Sequence, residues 1–274
     1  MPCPLPPCSA RALAPIYGVG VDTEVAAGGR ESRPPWGLAQ ALGGLVVAFV
    51  LPVFTLGAYA AFAHPGSAGR FALSTPVLLI DLASVWAGLA GAVLLSARAA
   101  RSRLSREFGF RVRLWPDVPL GIGLGVVMQF WVLGLLYAPL RPLIPHLNRK
   151  LSAPALQLAS GAHGNWQMVV TLVVLAIGAP VVEELFFRGL LLRSLQRRFG
   201  SSRAGTAAAV LVSALVFGLA HAEALQTLGL VVFGIVLAVL AVVTKRLGPG
   251  IFAHGAFNAA ASVVIFAHVV AAHH

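Results

Sequence analysis

Acidic, imidazole and amide side chains occur at helical spacing inside otherwise apolar stretches of this sequence. The first group is Glu183-Glu184 followed by Arg188, the second is His221, and the third is His254 with Asn258. Ionisable and polar groups in a membrane span cost several kcal/mol, so they mark functional sites by default. The three groups are therefore the candidate chemistry of this chain.

The first group combines two carboxylates with one guanidinium. Glu184 and Arg188 are four residues apart and share a helix face, which predicts a structural ion pair. Glu183 is rotated by about 100° and is left without that partner. A free carboxylate could act as a general base. The alternative is a helix end that simply reaches the headgroups.

The histidines admit two interpretations. His254 and Asn258 are four residues apart, so both could donate hydrogen bonds to one oxygen, as an oxyanion stabiliser must. The alternative is a polar contact between helices, worth about 0.6 kcal/mol on average in membranes. His221, at the outer end of a short helix, could equally well meet water.

Helix geometry relates the first two groups. A hairpin turning near Gly200–Ser202 would place Glu183 and His221 at nearly the same depth, because they are about equally far from the turn. His254 follows the turn at Gly248-Pro249 closely and is expected to start shallower. It would reach the same depth only with a projecting hairpin or an unwound helix start.

The composition is that of a membrane protein. Hydrophobic residues make up 58% of the 274 residues and charged residues 11%, with a mean hydropathy of +0.86, whereas soluble domains average about 25% charged residues. Apolar stretches of about 20 residues can span a bilayer. The sequence therefore predicts an all-α, polytopic integral membrane helical bundle with about seven transmembrane helices. The predicted spans are Gly37–Ala63, Thr75–Ala97, Val118–Leu140, Trp166–Leu192, Ala204–Ala220, Ala224–Thr244 and Ile251–Ala272.

The basic residues predict the orientation. Arginine and lysine are enriched in cytoplasmic loops. With seven spans, 15 basic residues fall on the side of the N-terminus and 4 on the other, which predicts a cytoplasmic N-terminus and an external C-terminus. The 15 are Arg11, Arg30, Arg33, Arg98, Arg101, Arg103, Arg106, Arg111, Arg113, Arg193, Arg197, Arg198, Arg203, Lys245 and Arg246, and the 4 are Arg70, Arg141, Arg149 and Lys150.

Two further features are compositional. Residues 1–35 are rich in proline and glycine and are predicted to form a disordered cytoplasmic leader before a membrane domain at 36–274. The basic residues lie in short runs between apolar stretches, so nucleic-acid binding is not expected. The bias toward alanine, glycine, arginine and proline suggests a bacterial source.

Together, the motifs Glu-Glu-x-x-x-Arg, Phe-x-x-x-His and His-x-x-x-Asn resemble the CPBP (Abi) family of intramembrane proteases. That family includes the type II CAAX prenyl endopeptidases and bacterial bacteriocin-immunity proteins. The resemblance covers residues 166–265, which would form the catalytic half of the membrane domain. It implies a cell-membrane endopeptidase that cleaves a membrane-associated peptide or protein; whether such substrates are prenylated is left open.

The resemblance also implies roles for the individual residues. Glu183 would activate water with help from His221, and Glu184 would be held by Arg188. The oxyanion would be stabilised by the third motif, His254 and Asn258. The resemblance leaves zinc open, since members of the family are often described as metalloproteases.

If a metal is present, Glu183, His221 and His254 would form a His₂Glu site. A glutamate mechanism without metal is the preferred interpretation. Two other function classes stay open: a catalytically idle immunity or scaffold protein of the same fold, and a proton-coupled transporter. The transporter is disfavoured because the first three spans lack matching charged breaks.

Overall fold

The computed structural model describes residues 35–63, 74–160 and 165–271. These residues form nine helices and no strand. The leader predicted to be disordered lies outside the described residues, apart from Pro35. The helices are α1 (Leu38–Ala63), α2 (Thr75–Ala99), α3 (Leu104–Glu107), α4 (Leu114–Leu140), α5 (Leu147–Ser160), α6 (Trp166–Phe199), α7 (Arg203–Ala220), α8 (Ala224–Thr244) and α9 (Gly248–Ala271).

Seven of the helices, all except α3 and α5, are long and apolar enough to cross a membrane. The predicted all-α, seven-span membrane bundle is thus confirmed at the level of fold. Large apolar side chains are exposed along these helices, as in Phe54, Trp131 and Leu215. Such surfaces are expected where lipid replaces water as the solvent.

The central helix α6 is longer than the apolar stretch predicted it to be. It does not stop at Leu192 but continues to Phe199, because the added turns bury Leu195 while Arg197 and Arg198 stay exposed. An amphipathic end of this kind lets a helix leave the apolar zone without unwinding.

Two wide, π-helical segments interrupt α6, at Val174–Gly178 and Glu184–Leu191. Single π-turns inside α-helices occur often at functional sites, where they shift which side chains share a face. The two segments flank the short α-helical piece Ala179–Glu183. The carboxylates Glu183 and Glu184 therefore lie at a change of helix type.

Helix α9 is held against α4 and α6 by close backbone approach. A Cβ atom on Gly125 of α4 would lie 2.3 Å from the carbonyl oxygen of Ala253, and one on Gly255 of α9 would lie 2.6 Å from that of Ala176 in α6. Small residues at such crossings let membrane helices pack closely. Glycine is required at both positions because the neighbouring atoms are backbone.

An ion pair between a half-buried arginine and a buried aspartate fixes the turn between α8 and α9. Arg246 donates from Nε and Nη2 to Asp117 Oδ1 at 3.0 and 2.6 Å, and Asp117 is fully buried at the start of α4. The amide of Gly248 adds a hydrogen bond to the carbonyl of Arg111 at 3.1 Å. The first residues of α9 are consequently held inside the protein rather than at its surface.

Candidate active site

The three polar motifs of the sequence meet between α6, α7 and α9. Helix α6 supplies the two glutamates and the arginine, the residue after the end of α7 is His221, and α9 supplies His254 and Asn258. Five of the six side chains are linked by direct contacts to another member of the group. The exception is Asn258, which contacts the backbone of α6.

The innermost part of the site is a buried network around one carboxylate oxygen. Glu184 Oε1 accepts from Arg188 Nη1 at 2.9 Å and lies 3.1 Å from His254 Nδ1. The exposed fraction is 2% or less for all three residues. Arg188 Nη2 also donates to the carbonyl of Gly234 in α8 at 3.4 Å. The structure thus contains the ion pair that the i, i+4 spacing predicts, and it adds His254 to that pair.

The second carboxylate, Glu183, faces two imidazoles. Its Oε2 lies 3.8 Å from Nε2 of His221 and 3.8 Å from Nε2 of His254. These separations are longer than a hydrogen bond. Oε2 is buried and has no hydrogen-bond partner among the described residues. A buried carboxylate oxygen without a partner is costly, and a hydrogen-bond donor placed against Oε2 would remove that cost.

The outer ring nitrogens set the tautomers of the two histidines. Nδ1 of His221 lies 2.8 Å from the carbonyl oxygen of Phe217, so Nδ1–H donates to that oxygen. Nδ1–H of His254 donates in the same way to Glu184. A neutral imidazole carries one N–H, so in the neutral form of either ring the lone pair would lie on the Nε2 that faces Glu183.

Aromatic rings enclose the histidines. The ring of Phe217 lies 4.8 Å from that of His221 and 5.6 Å from that of His254, and Phe233 of α8 lies 5.7 Å from His254. The Arg188 guanidinium stacks on Phe217 with its Cζ 4.2 Å from the ring centre. These rings have no part in the chemistry that the motifs predict, although the Phe-x-x-x-His spacing already places Phe217 and His221 on one face.

Asn258 lies one turn after His254 on α9. Its Nδ2 donates to the carbonyl of Leu175 at 2.9 Å, within the first wide segment of α6. One N–H of the amide is used in this contact and the second is free to donate elsewhere. Asn258 thus connects α9 to α6, one helical turn away from His254.

His254 and Glu183 lie in one cluster although His254 follows its turn much more closely, and the projecting hairpin is the arrangement that makes this possible. The α6–α7 hairpin projects past the α8–α9 turn: helical rise gives about 24 Å from Glu183 to Phe199 but about 9 Å from Gly248 to His254. The buried Asp117 holds the shorter turn inside the protein. Glu183 and His254 can therefore lie side by side although they are at different distances from their turns.

The three side chains that would hold zinc are Glu183, His221 and His254. Their donor types fit a His₂Glu site, and both Nδ1 atoms have the outer partners that zinc-binding histidines usually have. Bonds of about 2.1 Å at tetrahedral angles would bring nitrogen and oxygen to about 3.4 Å, closer than the observed 3.8 Å. No group of three His, Cys, Asp or Glu side chains in the described ranges has the spacing of a metal site.

Comparison with known proteins adds one finding. A family model described as Rce1-like, type II CAAX prenyl endopeptidase, matches residues 165–260, about a third of the chain. No curated protein and no solved structure gave a match. The matched segment includes all six side chains of the site, and it supports the family that the three motifs indicated. In residues 165–260, the chain thus carries a segment of the CPBP, CAAX-protease-like type.

Proposed function

We propose that this protein is an intramembrane endopeptidase that hydrolyses a peptide bond of a membrane-associated peptide or protein. The observation that carries the proposal is the unpartnered Oε2 of Glu183, which lies at equal distances from two imidazole nitrogens. A water molecule about 2.8 Å from each of the three atoms fits this spacing. Such a water is positioned for attack on a carbonyl carbon.

The proposed reaction begins with deprotonation of that water. Glu183 takes one proton on Oε2 while the water oxygen bonds to the scissile carbonyl carbon. The second hydrogen stays on that oxygen and donates a hydrogen bond to His221 Nε2, which orients the nucleophile. In the collapse of the tetrahedral intermediate, Glu183 gives its proton to the leaving nitrogen as the C–N bond breaks. This transfer restores the carboxylate.

The oxyanion needs donors at the same position. With neutral imidazoles, the charges of Glu183, Glu184 and Arg188 sum to −1, so one added proton balances the site. A proton on Nε2 of His254 gives an imidazolium whose Nδ1–H stays on Glu184 while Nε2–H faces the oxyanion. The second N–H of Asn258 is the other donor. Preorganised donors of this kind are typically worth about 10²–10³ in rate each.

The orientation is part of the proposal. The 15-to-4 division of basic residues supports a cytoplasmic N-terminus and an external C-terminus in the cell membrane. The end of α6 with Arg197 and Arg198 then lies on the cytoplasmic side. The site, about 16 residues back along α6, opens toward the cytoplasmic half of the membrane.

Substitution of the base is the direct test. Glu183→Gln keeps the side-chain shape and removes the proton acceptor, so cleavage of a fluorogenic membrane peptide by the purified protein should fall about 10²-fold or more. Glu223→Gln is the matched control, because it removes the same charge at an exposed position outside the site. Wild-type cleavage by the Glu183 variant would contradict the mechanism and favour the idle scaffold.

Metal removal separates the two chemistries. Glutamate catalysis without metal predicts unchanged activity after dialysis against a chelator. Loss of activity that zinc alone restores would show that Glu183, His221 and His254 act as metal ligands. Loss of zinc content in the Glu183→Gln variant would give the same result independently of cleavage.

A further inference from the structure

Two cavities adjoin at the projecting end of the α6–α7 hairpin, away from the site described above. The first, of about 590 Å³, is lined by polar and charged side chains that include Arg193 and Arg197. The second, of about 470 Å³, runs between α7 and α8 and is lined mainly by aliphatic side chains. Ser201 and Thr206 line both cavities, so the two volumes meet at the start of α7.

The guanidinium groups of the first cavity are held by hydrogen bonds, but these bonds do not use all of their N–H donors. Nη1 of Arg193 donates to the carbonyl of Glu107 at 3.1 Å. Nη2 of Arg197 donates to the carbonyl of Trp36 at 3.1 Å, and its Cζ lies 3.5 Å from the centre of the Trp36 ring. Each guanidinium uses one nitrogen in the hydrogen bonds of the described residues. The remaining N–H groups have no hydrogen-bond partner among the described residues, and Nη2 of Arg193 packs against Gly109.

The charge of this cavity suits an anion. Among the described residues, Glu107 is the one acidic residue in its lining, and its Oε2 already accepts a hydrogen bond from Trp36 Nε1 at 3.2 Å. Two guanidinium groups against one carboxylate leave a surplus positive charge. Planar guanidinium groups match the oxygens of a phosphate, with which they form short, charge-assisted hydrogen bonds.

The second cavity suits an apolar chain. Leu211 of α7 and Val239 of α8 line it and are about half exposed, at 56% and 46%. Exposed aliphatic side chains on a spanning helix face hydrocarbon. The groove is therefore continuous with the lipid phase, while the arginine-lined cavity lies at the end of the same helices. One molecule with an anionic head and an apolar tail would fill both.

We propose that the two cavities together bind one anionic phospholipid. The phosphodiester lies between Arg193 and Arg197, and an acyl chain follows the groove between α7 and α8 past Thr206. Such a lipid would join the start of α1, through Trp36, to the α6–α7 hairpin. The site is independent of the proposed proteolysis, because it shares no residue with the catalytic cluster.

The test is a lipid titration of the delipidated full chain in detergent, followed by native mass spectrometry. Phosphatidylglycerol should bind one per chain, at least about tenfold more tightly than zwitterionic phosphatidylcholine. The double substitution Arg193→Gln, Arg197→Gln should remove this preference, because it deletes both phosphate partners. Arg198→Gln is the matched control: it removes an exposed charge on the same helix that does not line the cavity, and binding should stay within about twofold.

Several results would overturn the proposal. If Arg198→Gln weakens phosphatidylglycerol binding as much as the double substitution does, the lipid is attracted by the basic surface in general and not by a site. Displacement of the lipid by soluble sn-glycerol 3-phosphate at similar concentration would show a site for free phosphate without a bound chain. Equal affinity for phosphatidylcholine and phosphatidylglycerol would show that the positive charge of the cavity does not select anionic lipids.

Two further variants keep the test valid if the arginine variant folds poorly. Thr206→Glu places a negative charge between the cavities, at a helix start where an acidic residue favours folding. Ala207→Phe fills the groove from an exposed position of α7, and Ala204→Phe is its control outside the lining. Thr206→Glu and Ala207→Phe should each weaken phosphatidylglycerol binding at least about tenfold. Wild-type binding by both would contradict the site.

Discussion

The buried ion pair of the site offers a quantitative test of how Glu184 is stabilised. Arg188→Met keeps most of the apolar volume and removes the charge, so the Glu184 carboxylate keeps only His254 as a charged or polar partner. Both members of the pair are almost fully buried. Breaking such a pair from one side costs about 3–5 kcal/mol, because the other charge stays desolvated. Loss of the stacking on Phe217 adds about 1–2 kcal/mol.

The double variant distinguishes a buried charge from lost packing. Replacement of both members of a buried pair by neutral groups is often nearly neutral for stability. Glu184→Gln with Arg188→Met should therefore recover most of the loss caused by Arg188→Met alone. Arg188→Lys should be intermediate, since the charge stays but the contact of Nη2 with Gly234 is lost.

The assay is unfolding of the purified protein by a denaturing detergent, followed by circular dichroism. Arg198→Met provides the baseline, because an exposed substitution usually changes the free energy of unfolding by less than about 0.5 kcal/mol. Unfolding of Arg188→Met at the same detergent fraction as that baseline would show that Glu184 does not depend on Arg188. A double variant no more stable than Arg188→Met would show that the unpaired Glu184 charge is not the cause of the loss.

Further predictions concern the elements around the site. Asp117→Asn should cost about 2 kcal/mol of unfolding free energy, because Arg246 loses its charged partner, and Asp117→Ala should cost more in the same unfolding assay. Gly255→Val should reduce cleavage at least about tenfold with a smaller loss of folding, because its side chain would force α9 away from the Ala176 carbonyl; unchanged cleavage would show that this approach does not position His254. A reporter active only in the cytoplasm should be silent when fused after His274, and an active fusion would contradict the proposed orientation or the seven spans.

The helices were predictable from the sequence because membrane spans depend on local composition. The apolar run Ala224–Thr244 has the same bounds as α8, and Thr75–Ala97 differs from α2 only at its end, which is Ala99. The end of α6 was missed because an amphipathic helix can continue after its apolar run stops. Hydropathy alone does not predict that Leu195 is buried against the rest of the protein.

Within one helix, the sequence was a good guide to the candidate site. The pairing of Glu184 with Arg188 and the free position of Glu183 both follow from the helical period. The hairpin count for Glu183 and His221 also agrees with their 3.8 Å separation. The catalytic roles of these residues remain predictions until cleavage is measured.

The sequence alone determined which side chains could do chemistry, because motif spacing and apolar composition are local properties of the chain. Only the tertiary structure decided that His254 shares Glu184 with Arg188, since that contact depends on how deeply α9 is seated. The seating comes from Asp117 and from glycine contacts with α4, all far from the motifs in sequence. The tautomer of His254 depends in the same way on Glu184, which it meets only when α9 packs against α6, whereas His221 takes its partner from Phe217, one turn earlier in the chain.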